Sequence, residues 1–434
     1  MQTYKEPARE TPIRAKVDVL VLGAGPAGFG AALTAAREGA DTSLIEQTMD
    51  VGGVATTGLM SHWTGNTQGG LYQELLEKTT LNLTKKGEER RKPDIYINHE
   101  HIKTVLLEML EESGARVLLG VLACDPIMEG DTLRGVVVQS KSGREAILAD
   151  VVVDATGDGD IAAGAGAEYV SGREEDGAMQ PVTLMFQVSG VDTGRIRYVG
   201  TFEESYDVPA GDLQTLARKH LTPPAGHVLI YPSTLPGTVT LNMTNVTGID
   251  GTDAESVTKG YTACRRQIPE LIEFLRTYVP GFEECYLLKT ASQLGIRETR
   301  HFKGVQTITE QDIANARVFD DWAVTRAHFN FDVHNITGAG LDATGVQKHF
   351  KQAKGYTIPY GCFVPIKVDG LFFAGRNISG THMAHSNYRV MPICANMGQS
   401  VGVAAAMCAK RGVQPRALNI RALQKRLMEL GLEP

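Results

Sequence analysis

Three short runs concentrate side chains that can move protons or hold anions. Residues 380–392, "GTHMAHSNYRVMP", bring His382, His385 and Arg389 close together in the chain. "GIRETR" carries Arg297 and Arg300, and "FDVHN" sets Asp332 two positions before His334. Imidazole titrates near neutrality and can accept a proton from an alcohol or amine. A guanidinium can grip a carboxylate through paired N–H groups. His382 and His385 are therefore candidate acid–base residues, and Asp332–His334 a candidate orienting pair. Arg389 is a candidate grip for an anionic substrate, and Arg297 and Arg300 are candidate walls of a substrate cavity or solvated surface residues. Structural alternatives stay open for each: a histidine that satisfies backbone groups, or an arginine that bridges a buried carboxylate. No metal is expected, because residues 380–392 hold no Asp, Glu or Cys and lack the spacing of zinc sites.

The neighbouring elements must position these side chains. "DGLFFAGR" reads as a buried strand entering the first run, and "MPICANMGQSVGVAAAMCAK" as a helix leaving it, with Pro392 in its first turn. Ala395, Gly398, Gly402 and Ala405 recur at three- and four-residue spacing, a face suited to close helix approach.

Near the other end of the chain, residues 17–22, "VDVLVL", read as a buried parallel strand, and "GAGPAG" follows at once. Gly23, Gly25 and Gly28 have GxGxxG spacing, "FGAALTAAREGA" has helix-forming composition, and "DTSLIE" supplies a second strand ending in Glu46. Strand, turn, helix, strand and acid in that order form a dinucleotide-binding pattern. Gly23 permits the tight turn, Gly25 lets a pyrophosphate approach, and Gly28 allows close helix–strand packing. The helix N-terminus faces the phosphates with its N–H groups. Glu46 can accept hydrogen bonds from ribose hydroxyls and would repel an added phosphate. The pair Gly52–Gly53 soon after Glu46 favours FAD over NAD. In flavoproteins resembling glutathione reductase and succinate dehydrogenase, that loop runs along the cofactor toward the flavin. His62, Trp63 and Asn66 in "SHWTGN" are then candidate walls beside the flavin, and the flavin's pyrimidine end is an alternative partner for Arg389.

Residues 71–81 and 99–113 have helical periodicity, followed by a strand, a small antiparallel ribbon and a return strand ending "DATGDGD". Asp158 and Asp160 admit two readings, a cofactor signature after the strand or a cap for "IAAGAGA". From about residue 180 the alternation becomes that of an antiparallel sheet, with one helical interlude, "DAESVTKGYTACRRQIPELIEFLRTYV". The expected architecture is α/β: a Rossmann-like FAD-binding domain of the glutathione reductase type, built from residues 14–179 and 355–434. An inserted, mostly antiparallel α+β substrate domain spans 180–354.

The 434 residues, net charge of −7 and pI near 5.9 argue against a nucleic-acid or anionic-membrane partner. The six cysteines form no CxxC pair, so reduced thiols are expected, with Cys362 and Cys394 acting as small buried hydrophobes. Neither a secretory h-region nor an apolar run of roughly 18 residues stands out, which makes a cytoplasmic location the expectation. A homo-oligomer is left open.

Five stretches, "VLGAGPAGFGAA", "VGGVATTG", "VVDATGDGDIAAGAGAEY", "LGIRETRHFKG" and the segment from "IPYGCF" to "MGQSVG", resemble a family of bacterial FAD-dependent oxidoreductases. That family is distantly related to the succinate dehydrogenase and glutathione reductase flavoproteins. One departure is Gly361, where the family's "IPY" is often followed by arginine. Beside Gly23, Gly25, Gly28, Glu46, Gly52 and Gly53, the candidate FAD contacts are Pro26, Ala27, Val54, Leu122, Thr156, Gly157, Asp158, Gly375, Arg376, Ile393, Cys394 and Ala395. By the resemblance, Gly375 and Arg376 end a strand near the pyrophosphate, and the helix after Pro392 meets the flavin edge. The N–H groups of Cys394 to Asn396 are candidates for stabilising negative charge on reduced flavin.

The activity expected is that of a dehydrogenase or oxidase taking hydride from a polar small molecule, an alcohol, sugar or amine carbon, to flavin N5. The same chemistry reversed would reduce an activated C=C bond. A tRNA-modifying role is a third reading, disfavoured by the acidic charge.

Overall fold

The computed structural model describes residues 3–80, 82–84, 87–89, 95–343, 352–353 and 355–434. Residues 344–351 and 354, at the end of the expected insertion, and residue 81, at the end of an expected helix, lie outside the described residues.

Strand β1 (Ile13–Leu22) is fully buried from Val19 to Leu22. Helix α1 (Pro26–Arg37) starts with proline in its first turn and has no side-chain cap. Strand β2 (Thr42–Glu46) lies parallel to β1, as does the return strand Gly143–Asp154 on the other side. The full order is Arg116–Leu119, β2, β1, Gly143–Asp154, Thr132–Ser140 and Leu122–Glu129. The last two run antiparallel, as the ribbon pattern predicted. Leu371–Phe373, the "GLFF" strand, pairs in parallel with the inner end of the return strand. Completely apolar strands such as Val151–Val153 suit a sheet covered on both faces.

The long helix Met391–Arg411 packs across α1 at unusually close range. A Cβ at Gly398 would stand 2.0 Å from the carbonyl oxygen of Ala27, and one at Gly402 would stand 2.4 Å from that of Ala31. These backbones touch because the small residues predicted to face a neighbour do so.

A second hydrophobic core comprises Leu59 and residues between Val182 and Ala291. It lies beneath a four-stranded antiparallel sheet ordered Ile230–Pro232, Val239–Leu241, Phe186–Ser189, Tyr286–Thr290, with the helix Ala254–Tyr278 as its helical element. The expected insertion ran to 354, whereas Phe302, Trp322 and Phe331 of that span belong to the first core. The strands Trp322–Ala327 and Tyr356–Pro359 pair with each other, and the Ser400 hydroxyl of the long helix donates to Ala323 O at 2.5 Å. Among the described residues no single helix is long and apolar enough to cross a membrane.

Residues 382–388 form a short helix, His382–Tyr388, where sequence suggested a loop. Thr381 caps it, its hydroxyl accepting from Ala384 N–H at 3.2 Å.

Candidate active site

A cavity of about 1010 Å³ opens over the carboxyl ends of β1 and β2 and reaches residues of the second core. Of the sequence candidates, Gly23, Gly25, Pro26, Ala27, Glu46, Gly53, Val54, Leu122, Thr156, Gly157, Asp158, Gly375, Arg376 and Cys394 line it. So do His62, Trp63, Asn66, Arg297, Asp332, His334 and Arg389. Gly28, Gly52, Ile393 and Ala395 are absent from its wall.

The dinucleotide turn is shaped by what its glycines touch. A Cβ at Gly28 would fall 1.8 Å from Gly23 O, so only hydrogen fits between helix and strand. At Gly25 no atom of the described residues beyond its own chain neighbours lies within 4 Å of that position, and the space opens into the cavity beside the uncapped start of α1. The second glycine pair closes over this turn, with Gly52 N–H donating to Ala24 O at 2.8 Å. Glu46 accepts from Ala24 N–H and from Thr48 N–H, both at 2.8 Å, which fixes its carboxylate at the cavity edge. Arg376 donates one Nη to Asp158 Oδ1 at 3.1 Å, while its Nη1 is buried with no partner among the described residues.

The residues present therefore fit FAD. They offer a bare glycine, free helix N–H groups, a ribose acid and an unsatisfied guanidinium that a phosphate oxygen would complete. At the other candidate contact, the long helix begins at Met391 without a side-chain cap. Cys394 N–H already donates to Val390 O at 3.0 Å, so the candidate amides are corrected from Cys394–Asn396 to Met391 and Ile393, one turn earlier. Burial raises the Cys394 thiol to about 12 and pushes Cys362 up too, consistent with inert packing.

Neither Asp158 nor Asp160 caps the helix after the return strand. The fully buried Asp154 does so from within the strand, accepting from Ala162 N–H at 2.8 Å and from the Thr156 hydroxyl at 2.7 Å. Asp158 is left to hold Thr299 and Arg376. Gly361 has no room for the family's arginine, because its Cβ would lie 2.9 Å from the Gln306 side chain.

The chamber near the second core is polar. Arg389 donates to Asp332 Oδ2 at 2.8 Å and to Asp332 O at 3.0 Å, and its Nε is buried without a partner among the described residues. Arg297 donates to Pro181 O at 2.6 Å. His334 Nε2 lies 3.3 Å from Asp332 Oδ2, and the backbone N–H of His334 donates to Gln180 Oε1 at 3.1 Å. Burial lowers Arg297 to about 10, with Arg389 adding to the effect. Burial disfavours the charge on Asp332, but His334, Arg389 and Arg297 together more than offset it, and the carboxyl stays below its usual range. Burial and then Arg297 bring His334 down to about 4, so it is neutral at pH 7. His62 is likewise lowered to about 4 by burial and stacks edge-on against Tyr231.

His382 and His385 do not line the cavity. Both are buried, and His382 Nδ1 lies 2.6 Å from Glu298 Oε1. His301 Nε2 reaches the same oxygen at 2.8 Å, and the rings of His301 and His385 meet edge-to-face at 4.7 Å. Their reassignment from acid–base residues to this buried cluster follows from the short helix, which turns both rings toward Glu298. The grouping of Glu298, His301 and His385 has ligand atoms within 4.8 Å; His301 Nε2 hydrogen-bonds Glu298 there, while His385 Nδ1 is buried without a partner among the described residues. Arg300, itself absent from the cavity wall, pairs at 2.9 Å with Asp160, which lines it. Sequence reasoning missed Tyr231, Asn242 and Phe202, cavity residues that carry no motif.

A parallel sheet with a bare glycine turn, a ribose acid and a capping antiparallel unit defines the dinucleotide-binding flavoproteins. Residues 18–427 match the family model described as FAD dependent oxidoreductase, and the chain belongs to that family of FAD enzymes. It is 28% identical over 137 residues to thiamine thiazole synthase of Methanococcus vannielii, a match covering 30% of this chain and 49% of that relative. The chain thus spans about half the length of the curated relative it matches. Among solved structures, a geranylgeranyl bacteriochlorophyll reductase-like protein of Thermoplasma acidophilum aligns with TM-score 0.51 and 14% identity, covering 96% of this chain and 84% of that one. p-Nitrophenol 4-monooxygenase of Pseudomonas putida aligns with TM-score 0.50 and 10% identity, covering 93% and 83%. At such identities these two structures establish the fold alone.

Proposed function

We propose that the protein is a dehydrogenase or oxidase of a polar small molecule, an alcohol, sugar or amine, handled in the chamber of Arg297, Asp332, His334 and Arg389. Continuity is the observation that carries the reading: the dinucleotide turn and this buried polar group line one cavity. Bound FAD supplies the two-electron acceptor. The chain's own part is positional. Gly25, the start of α1 and Arg376 would hold the pyrophosphate, and Glu46 the ribose. Met391 and Ile393 N–H groups would face negative charge that develops nearby. Aromatic walls at Phe202, Tyr231 and Phe331 would keep water from the reacting centre.

The test is anaerobic bleaching of the yellow protein by a panel of alcohols, sugars and amines. A donor that bleaches it supports the proposal. Failure of every donor, with reoxidation of the chemically reduced protein by unsaturated acids, would overturn it in favour of C=C reduction.

A further inference from the structure

The buried chamber group is unbalanced in charge. Arg297 and Arg389 face a single carboxylate, Asp332, and the remaining member, His334, is neutral. An uncompensated buried cation is costly, so a site of this kind gains by taking up an anion. Arg389 Nε, buried and partnerless among the described residues, is a donor still to be satisfied. Arg297 and Arg389 both reach the cavity wall, and Phe202, Tyr231, Phe329 and Phe331 surround them with flat apolar surface.

We propose that the chamber takes a substrate bearing a carboxylate, held by Arg297 and Arg389, and that His334, oriented by Asp332, accepts the proton released on oxidation. This rests on the oxidation reading above. With Nε2–H directed at Asp332, Nδ1 keeps its lone pair. The charged and titratable groups facing His334 are Asp332 on its own segment, Arg297, Arg389 and His227. The two guanidinium groups suppress its proton affinity. A bound carboxylate cancels part of their field, so His334 becomes a stronger base when substrate is present. In the step itself, the substrate's hydroxyl proton passes to His334. FAD, when bound, would supply the acceptor for the hydrogen on carbon and its bonding pair as the C–O single bond becomes C=O.

Benzoate and its neutral analogue benzamide test this on the FAD-loaded protein, by calorimetry and by the shift of the visible flavin spectrum. Benzoate should bind, and benzamide at least about tenfold more weakly, as expected for charge-assisted hydrogen bonds. Arg297→Lys should weaken benzoate by about tenfold or more, since an ammonium cannot replace a guanidinium fork. Near pH 6, in two buffers of different protonation enthalpy, benzoate binding should take up part of a proton. His334→Gln should abolish that uptake while changing affinity by no more than about threefold. Equal binding of the two probes, or binding of neither to yellow protein, would overturn the carboxylate site. Uptake unchanged in His334→Gln would overturn the role of His334. Benzoate binding alongside failure of every electron donor would remove the oxidation reading and leave the anion site standing.

Discussion

His382 Nδ1 stands 2.6 Å from Glu298 Oε1, across 84 residues of chain. This contact ties the most conspicuous histidine of residues 380–392 into a buried charge group. Burial opposes the proton on His382, but the hydrogen bond and charge of Glu298 outweigh it and raise the imidazole above its usual value. For Glu298, burial again opposes the charge, and His301 and His382 together keep the carboxyl low. His385, by contrast, is pushed well down by burial and then by His301.

Removing one member of such a pair leaves the other uncompensated. His382→Ala is expected to destabilise the fold by about 3 kcal/mol, measured by denaturant unfolding. The folded variant should still hold FAD and bind benzoate. Loss of benzoate binding at unchanged stability would return His382 to the substrate chamber.

Stability should fall in acid. His62, His99, His227, His334 and His385 all have folded values below the unfolded one, chiefly through burial. Below about pH 6.5 the unfolded chain therefore binds more protons, and each such histidine removes up to about 1.4 kcal/mol per pH unit. Their contribution is complete above that pH and is lost as pH falls. His382 runs the other way, its contribution being present below about 6.5 and lost as pH rises through its raised value. Five against one predicts a net loss on acidification. A melting temperature constant from pH 7 to pH 5 would contradict this.

Two glycines of one turn should fail differently. Gly25→Val adds its side chain to empty space in the cavity, so the variant should fold and emerge colourless. Gly28→Val must displace Gly23 O, 1.8 Å from the new Cβ, and should lose about 3 kcal/mol or more of stability. A yellow, fully loaded Gly25→Val would refute the cofactor position.

The strand–turn–helix reading of residues 17–46 was accessible because each glycine and Glu46 act on near neighbours in the chain. Asp332 and His334 were legible as a pair for the same reason. Glu298 was not, because its meaning depends on a helix that delivers two histidines from far along the sequence. Residues 380–392 are polar enough to resemble a loop. They fold as a buried helix only because Glu298 and Thr381 satisfy groups that composition alone leaves open. The segment after Ala291 was assigned to the insertion by its place before the returning strand "DGLFFAGR", and place in the chain does not say which core a strand joins.

Arg376→Gln should leave the fold intact, since Thr299 still donates to Asp158 at 2.7 Å. It removes a charged donor from the phosphate region, and FAD should bind about tenfold to a hundredfold more weakly. Fluorescence of released flavin on dilution measures this, and unchanged retention would exclude Arg376 from the cofactor contacts.

The contact of Gly398 and Gly402 with Ala27 and Ala31 does more than fill space. One helix begins at the phosphate turn and the other at the candidate flavin edge, and their backbones meet with no side chain between them. The distance between the two ends of the cofactor bed is thus gauged by main chain against main chain. Side-chain repacking elsewhere cannot retune it. Evolution in this scaffold can reshape the chamber around Arg297 and His334 for new substrates while the span offered to the cofactor stays constant.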